Sequence, residues 1–330
     1  MSVTMRDIGK RIGVSAVTVS KALAGKSGVS EEMRQKIVRL AAELGYVNPN
    51  AQQPKLAKGL DVGILVPDQF FSNDTFYAMF YKLLMQTLTD AGHFGMLELI
   101  SEGMQATMTL PNIVRSSRVD ALILLGQPTE KYTQLLVNQQ LPVVALDFYY
   151  PAISMDAIIG DSAFGSAMLT YHLLEQGHCD IGYFGNPKAT SSIMERYLGF
   201  ISAMTMRAQS IRPECVIKDR DDSNVMLEPV LPEKLPTAFV CNCDVGARTM
   251  IDALRKRGAR VPEDVSIVGY DDFNNVPGSL PLTTFRVNTA AMCQMAVKLV
   301  EERCAGDKKP YVRMVVGGEC VYRDSVCAIK

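Results

Sequence analysis

The residues of this 330-residue chain whose types and spacing could do chemistry gather near its start. Ala16, Val17, Ser20 and Lys21 fall on one outward face when the stretch is wound as a helix. Ala16 and Val17 are short and apolar and suit thymine methyl groups, while Ser20 and Lys21 can reach base edges or phosphates. Lys10, Arg11, Lys26 and Arg34 suit phosphate contacts, which position a domain on a duplex and carry little sequence information. Other chemistries are poorly supplied. The chain has no P-loop, no GxGxxG, no HExxH and no GxSxG. His93, His172 and His178 are dispersed, and Cys241-x-Cys243 has neither zinc spacing nor a second pair. No cofactor, metal or catalytic residue is expected.

The elements that must position these residues follow from the apolar pattern. Ile8 and Ile12 give a first helix its stripe, and Gly13 breaks it. Ser15 is an N-cap for a second helix with Thr18 at N3, and Val19, Ala22 and Leu23 make its buried side. Ser30 caps a third helix that opens on Glu31 and Glu32, buries Ile37, Leu40, Ala41 and Leu44, and ends at Gly45. Three short helices with a tight turn between the first two make a helix-turn-helix, whose second helix lies in the major groove.

Charge supports that reading. Residues 1–60 hold ten Lys/Arg and four Asp/Glu, a balance of +6, whereas the whole chain is at −1. A basic head on an acidic body points to a polyanionic partner. The N-terminal region has no apolar signal-peptide core, no run approaches the length of a membrane span, and eight Cys are scattered without a framework. A cytoplasmic protein with reduced thiols is expected.

"TMRDIGKRIGVSAVTVSKALAGKSGVSEEMRQKIVRLAAELGYVNPN", residues 4–50, resembles the DNA-binding head of the LacI/GalR family of bacterial transcription regulators. The resemblance implies a homodimer on a pseudo-palindromic operator, with DNA contacts drawn from Thr4, Ser15, Ala16, Val17, Thr18, Ser20, Lys21 and Lys26. It also implies a hinge helix over residues 49–60, capped by Asn50, with Leu56 wedged into the minor groove. Pro54 would fall at N4 of that helix, so a weaker or later-starting hinge is expected.

The remainder reads as α/β. Apolar runs start at Val62, Gly95, Ala121 and Val143, and again at Ile181, Ala238 and Val265, with helical stretches at Phe76–Ala91, Phe164–Gln176 and Val245–Arg257 between them. That alternation predicts parallel sheets covered on both faces, with a ligand at the carboxyl ends of the strands. "ERYLGF" and "LRKRGARVPEDVSIVGYDDF" also resemble family segments, which imply a two-lobe body like a periplasmic binding protein. The expected domains are a head over 1–48, a hinge over 49–60, and a body over 61–330. Its N-lobe takes 61–157 plus 286–318, and its C-lobe 158–285 plus 319–330.

The resemblance further implies effector contacts. Arg196 matches the RxxGF arginine and Asp271 the first acid of GYDD. Asp244 falls at the acid of CAND, where Cys243 replaces the family Asn and Asn242 supplies an amide one position away. Phe76, Tyr77 and Phe148 follow strands and could stack on a ligand, and Asp161 is read as a helix cap. The resulting expectation is a repressor of carbohydrate use released by a small sugar. A purine-type corepressor is the rival within regulators, and an enzyme acting on a sugar or nucleobase is the rival outside them.

Overall fold

The computed structural model describes residues 4–23, 29–44, 59–71, 76–221, 224–273 and 278–329, without the side chains of residues 23, 31, 32, 38, 42 and 43. Contacts divide the chain into two units, Met1–Lys58 and Gly59–Lys330.

The first unit is a three-helix head: α1 (Met5–Ile12), α2 (Ala16–Leu23) and α3 (Glu31–Glu43). Ile8, Val19, Ala22, Ile37 and Ala41 are its buried core, with Ile12, Leu40 and Leu44 half-buried around them. A core this small leaves each helix cap, worth about 1 kcal/mol, a large share of the stability. Ser15 Oγ accepts from the Thr18 amide at 3.1 Å, and Ser30 Oγ from the Met33 amide at 3.4 Å. The turn after α1 is made by Gly13 at φ +78°, a conformation that favours glycine.

The second unit opens with β1 (Asp61–Pro67), α4 (Phe76–Asp90), β2 (Phe94–Ile100), α5 (Glu102–Ala106), α6 (Asn112–Arg115), β3 (Ala121–Leu125), α7 (Glu130–Val137), β4 (Val143–Leu146) and β5 (Asp156–Gly160). It continues with α8 (Ser162–Glu175), β6 (Ile181–Phe184), α9 (Ser191–Met206), β7 (Val216–Ile217), β8 (Ala238–Cys241), α10 (Asp244–Lys256) and β9 (Ser266–Val268). It closes with β10 (Thr284–Arg286), α11 (Thr289–Cys304), β11 (Arg313–Val316) and β12 (Glu319–Val321).

One sheet has the order β11-β5-β4-β3-β1-β2 and a second the order β7-β6-β8-β9, with every neighbouring pair parallel. The seven strand-like runs are all strands. β3, β4, β6 and β8 are buried along their whole length, as parallel strands covered on both faces must be. Helix α11 packs on α4 and the first sheet, and α8 packs on α9. Gly199 makes the α8–α9 contact possible, because a Cβ there would run into the carbonyl of Ala163.

Several expectations need adjustment. β10 and β12 form an antiparallel pair outside both parallel sheets. α8 begins at Ser162, two residues early, with Asp161 as its cap. β5, Asp156–Gly160, spans the expected lobe divide between 157 and 158. No helix among the described residues is long and apolar enough to cross a membrane.

Candidate functional site

The head presents one exposed surface of α2. Val17 is 65% exposed, and Ser20 and Lys21 are exposed beside it, while Ala16 is half-buried. An exposed valine flanked by a hydroxyl and a cation suits a groove carrying both methyl groups and polar edges. Three other head residues have structural work. Thr4 is the N-cap of α1, accepting from the Asp7 amide while Asp7 bonds back to its backbone. Thr18 shares a 2.9 Å hydrogen bond with Ser15, and Arg34 donates to the Ala22 carbonyl at the end of α2. Lys26, Asn50, Pro54 and Leu56 lie outside the described residues.

In the body, a cleft of about 450 Å³ opens at the carboxyl ends of both parallel sheets. Each side chain arrives on a strand end or a helix start. Phe70, Phe76 and Tyr77 follow β1, Asp147 follows β4, Arg196 rides on α9, Asn242 and Asp244 follow β8, and Asp271 follows β9.

Arg196 is the centre of this arrangement. Its Nη2 lies 3.1 Å from Asp271 Oδ1, its Nη1 donates to the Asn242 carbonyl at 2.6 Å, and its guanidinium sits 3.9 Å above the Tyr270 ring. Burial works to lower its pKa, but Asp271, Tyr270 and Asp147 together hold it above the ordinary arginine value. Burial likewise pushes the Asp271 carboxyl up to about 7, with Arg196 opposing and Asp147 adding to the rise. Asp147 is also raised by burial, against the pull of Arg196 and of the Tyr77 hydroxyl, which donates to it at 2.7 Å. Both aspartates have positive φ, +72° and +104°. Left-handed backbone at two non-glycine residues facing one arginine is strain gathered at a site.

Asn242 is 1% exposed. Its Nδ2 donates to Asp219 Oδ2 at 2.5 Å, while its Oδ1 has no hydrogen-bond partner. Asp219 is itself fully buried, and it also accepts from the Asn186 amide and from Arg220. Arg220 enters the cleft fully engaged, donating to Asn224 Oδ1 as well.

Two expected contacts change character. Phe148 is 1% exposed and packs in the core with Tyr132 and Ile153, because it points away from the cleft where its neighbour Asp147 points in. Asp244 borders the cleft but spends both oxygens on structure, accepting from the Phe273 amide at 2.7 Å and the Thr284 hydroxyl at 2.7 Å. Burial and the nearby Asp271 push its pKa up to about 8. Cys243, which stands where the family has asparagine, is the N-cap of α10, its sulfur accepting from the Gly246 amide at 3.3 Å. Phe76 and Tyr77 do line the cleft, and Phe76 meets Phe273 edge-on at 6.4 Å and 81°.

Sequence reasoning missed Asp147, Asp219, Arg220 and Phe273. Asp147 carried a signal, an acid directly after a four-residue apolar strand. Among the described residues no group of His, Cys, Asp and Glu could hold a metal ion.

Comparison with known proteins agrees with both halves. Residues 4–50 match the family model for bacterial regulatory proteins of the lacI family, and residues 170–326 match that of the periplasmic binding protein-like domain. The chain is 27% identical over 340 residues to the ribose operon repressor of Haemophilus influenzae, covering 99% of each chain. It is 29% identical to the HTH-type transcriptional repressor PurR of Pasteurella multocida, covering 98% of each. The fold matches a Lac repressor dimer bound to operator and an anti-inducer, with a TM-score of 0.68, 22% identity, and coverage of 99% of this chain and 100% of that one.

Proposed function

Starting from a chain that belongs to the LacI family of bacterial regulatory proteins, we propose that it is a homodimeric, cytoplasmic repressor released from its operator by a small sugar. One observation carries the reading. A single chain joins a helix-turn-helix head whose α2 exposes Val17, Ser20 and Lys21 to a body with a cleft at the strand ends of two parallel sheets. The protein acts by binding, and its regulation needs no turnover. Eight free cysteines suit a reducing compartment.

The mechanism follows from which lobe holds which contact. The N-lobe brings Asp147, Tyr77 and Phe76, and the C-lobe brings Arg196, Asn242 and Asp271. A ligand that bonds to both sets binds the closed body better than an open one. It therefore shifts the population and changes the spacing at which two heads are offered to DNA.

A sugar fits better than a purine. The Phe76 and Phe273 rings meet edge-on at 81°, which leaves no parallel slot for a flat base between them. Relatives named as a ribose operon repressor and as the transcriptional repressor PurR stand at similar identity, so the choice of ligand is argued from the cleft. The test is anisotropy of labelled operator with pooled neutral sugars and, separately, pooled purines. Release by the sugar pool supports the reading. Tightening by the purine pool replaces it with corepression.

A further inference from the structure

We infer that His93 is a positioning residue for regulation: its imidazole fixes the point where the chain from the head enters the body and ties that point to α11. This rests on the proposed function, and it names the contact that passes a change in the body to the segment leading to the head.

The entry point is Gly59 and Leu60, where the second unit of the chain begins. Leu60 is 1% exposed, and its backbone is bonded through both groups. Its carbonyl accepts from the Phe94 amide at 2.8 Å, and its amide donates to His93 Nδ1 at 3.1 Å. Gly59 lies so close to the neighbouring chain that a Cβ there would run into the Gly92 carbonyl. A buried amide must be paired, and here the partner is a side chain. Because Nδ1 accepts, the ring carries its proton on Nε2, which donates to Glu301 Oε1 on α11 at 2.9 Å. Neither the other tautomer nor the imidazolium makes both bonds. A second contact follows the same line. The Asp61 amide donates to Asp120 Oδ2 at 3.1 Å, and the thiol of Cys304, the last residue of α11, meets the Asp120 carbonyl at 3.8 Å.

Helix α11 connects this point to the cleft. It follows β10, whose Phe285 carbonyl accepts from the amide of Asp271 at 2.8 Å, and Asp271 is the residue that faces Arg196. Asn288 caps the helix, its Oδ1 accepting from the Ala291 amide at 3.1 Å. From there α11 runs for 16 residues, a length of about 24 Å at the usual helical rise. Glu301 stands in its last turn. Met292, Cys293, Ala296, Val297 and Val300 are buried along the way, where α11 packs on α4 and on β3, β4 and β5. A close-packed helix shifts as one piece, and coupling between distant sites travels through such elements and their hydrogen bonds. A movement of β10 on closure of the body therefore reaches Leu60 through Glu301 and His93.

The experiment compares the intact protein with Glu301→Ala and Glu301→Gln. The Glu301 side chain is 38% exposed, so its loss is expected to leave the fold intact, and glutamine keeps an oxygen for the Nε2 proton. Nitrogen NMR of the His93 ring is expected to show the proton on Nε2 in the wild type and in Glu301→Gln, and a mixture of tautomers in Glu301→Ala. Hydrogen exchange at the Leu60 amide is expected to quicken by about tenfold in Glu301→Ala alone. The regulatory readout is the factor by which pooled neutral sugars weaken binding of the tightest selected genomic fragment, or the factor for pooled purines if those act instead. That factor is expected to fall by about fivefold in Glu301→Ala and to be restored in Glu301→Gln, with affinity for the fragment alone unchanged. A ring and a Leu60 amide unmoved in Glu301→Ala overturn the inference. So does quickened exchange with a full response, which leaves the tie a matter of structure alone. A wild-type protein that answers neither pool defeats the proposed function instead, and the ring and exchange readings still decide whether Glu301 holds the entry through His93.

Discussion

Glu195 and Arg196 are consecutive on α9 and serve opposite sides of the same boundary. Arg196 turns into the cleft, 3.1 Å from Asp271, and Glu195 accepts from the Tyr149 hydroxyl of the N-lobe at 3.0 Å. The same end of α9 makes two more links, the Tyr149 amide donating to Ser191 Oγ at 3.2 Å and the Ser191 amide donating to Gln127 Oε1 at 2.8 Å. The first two turns of α9 therefore carry both the central cation of the cleft and the ties between lobes.

Arg196→Ala should abolish the effector response while operator binding without effector stays normal. It strands Asp271 in a buried place, and loss of one member of a buried pair costs about 3–5 kcal/mol. Arg196→Lys separates the two effects. It keeps the charge, loses the planar fork and should fold while binding effector more weakly. Anisotropy titrations report the response, and an intact response in Arg196→Ala refutes the assignment.

Tyr149→Phe tests the tie between lobes. It removes one hydrogen bond of about 0.5–1.5 kcal/mol, which favours the open body and weakens effector binding by about 2- to 10-fold. Arg313, whose guanidinium sits 4.5 Å over the ring, keeps its contact in the variant. Unaltered affinity would mean that the tie does not bear on closure.

On the head, Ser15→Ala should destabilise the unit by about 1 kcal/mol through loss of the α2 cap. Lys21→Ala should weaken binding to all sequences alike and reduce the salt slope by about 1. Val17→Ser should instead alter preference at one base pair with the salt slope unchanged. Thermal unfolding and salt titrations distinguish the three, and a Lys21→Ala variant with an unaltered slope would count against a phosphate contact.

The pH dependence has a definite sign. Burial raises Asp271 from an ordinary 3.8 to about 7, so across that interval the native protein holds a proton that the unfolded chain has released. The stability this group contributes is complete below its unfolded value and drains away as pH rises through about 7. The thermal midpoint of the ligand-free protein is therefore expected to fall more steeply between about pH 4 and 7 than that of Asp271→Asn. Parallel curves would show that Asp271 does not titrate there.

Much of this was legible because the pattern was local. The caps at Ser15 and Ser30, the buried faces of Val19 and Ile37, and the apolar strands starting at Val62, Ala121 and Ala238 all follow from neighbours in the chain. The cleft was less legible because its partners come from distant positions. Asp219 orients Asn242 from 23 residues away, and Tyr77 reaches Asp147 from 70. Phe148 was misread by one position, since successive residues after a strand turn to opposite sides. β10 and β12 went unread because strands of three residues are too short for any periodicity to register.

The central claim is that the basic head reads a specific duplex. Selection of genomic fragments by the purified protein tests it most directly, followed by salt titration of the tightest fragment. The expected result is recovery of a near-palindrome, bound with a steep salt dependence and released by a neutral sugar. Recovery of unrelated fragments alone, with and without added sugars and purines, would contradict it.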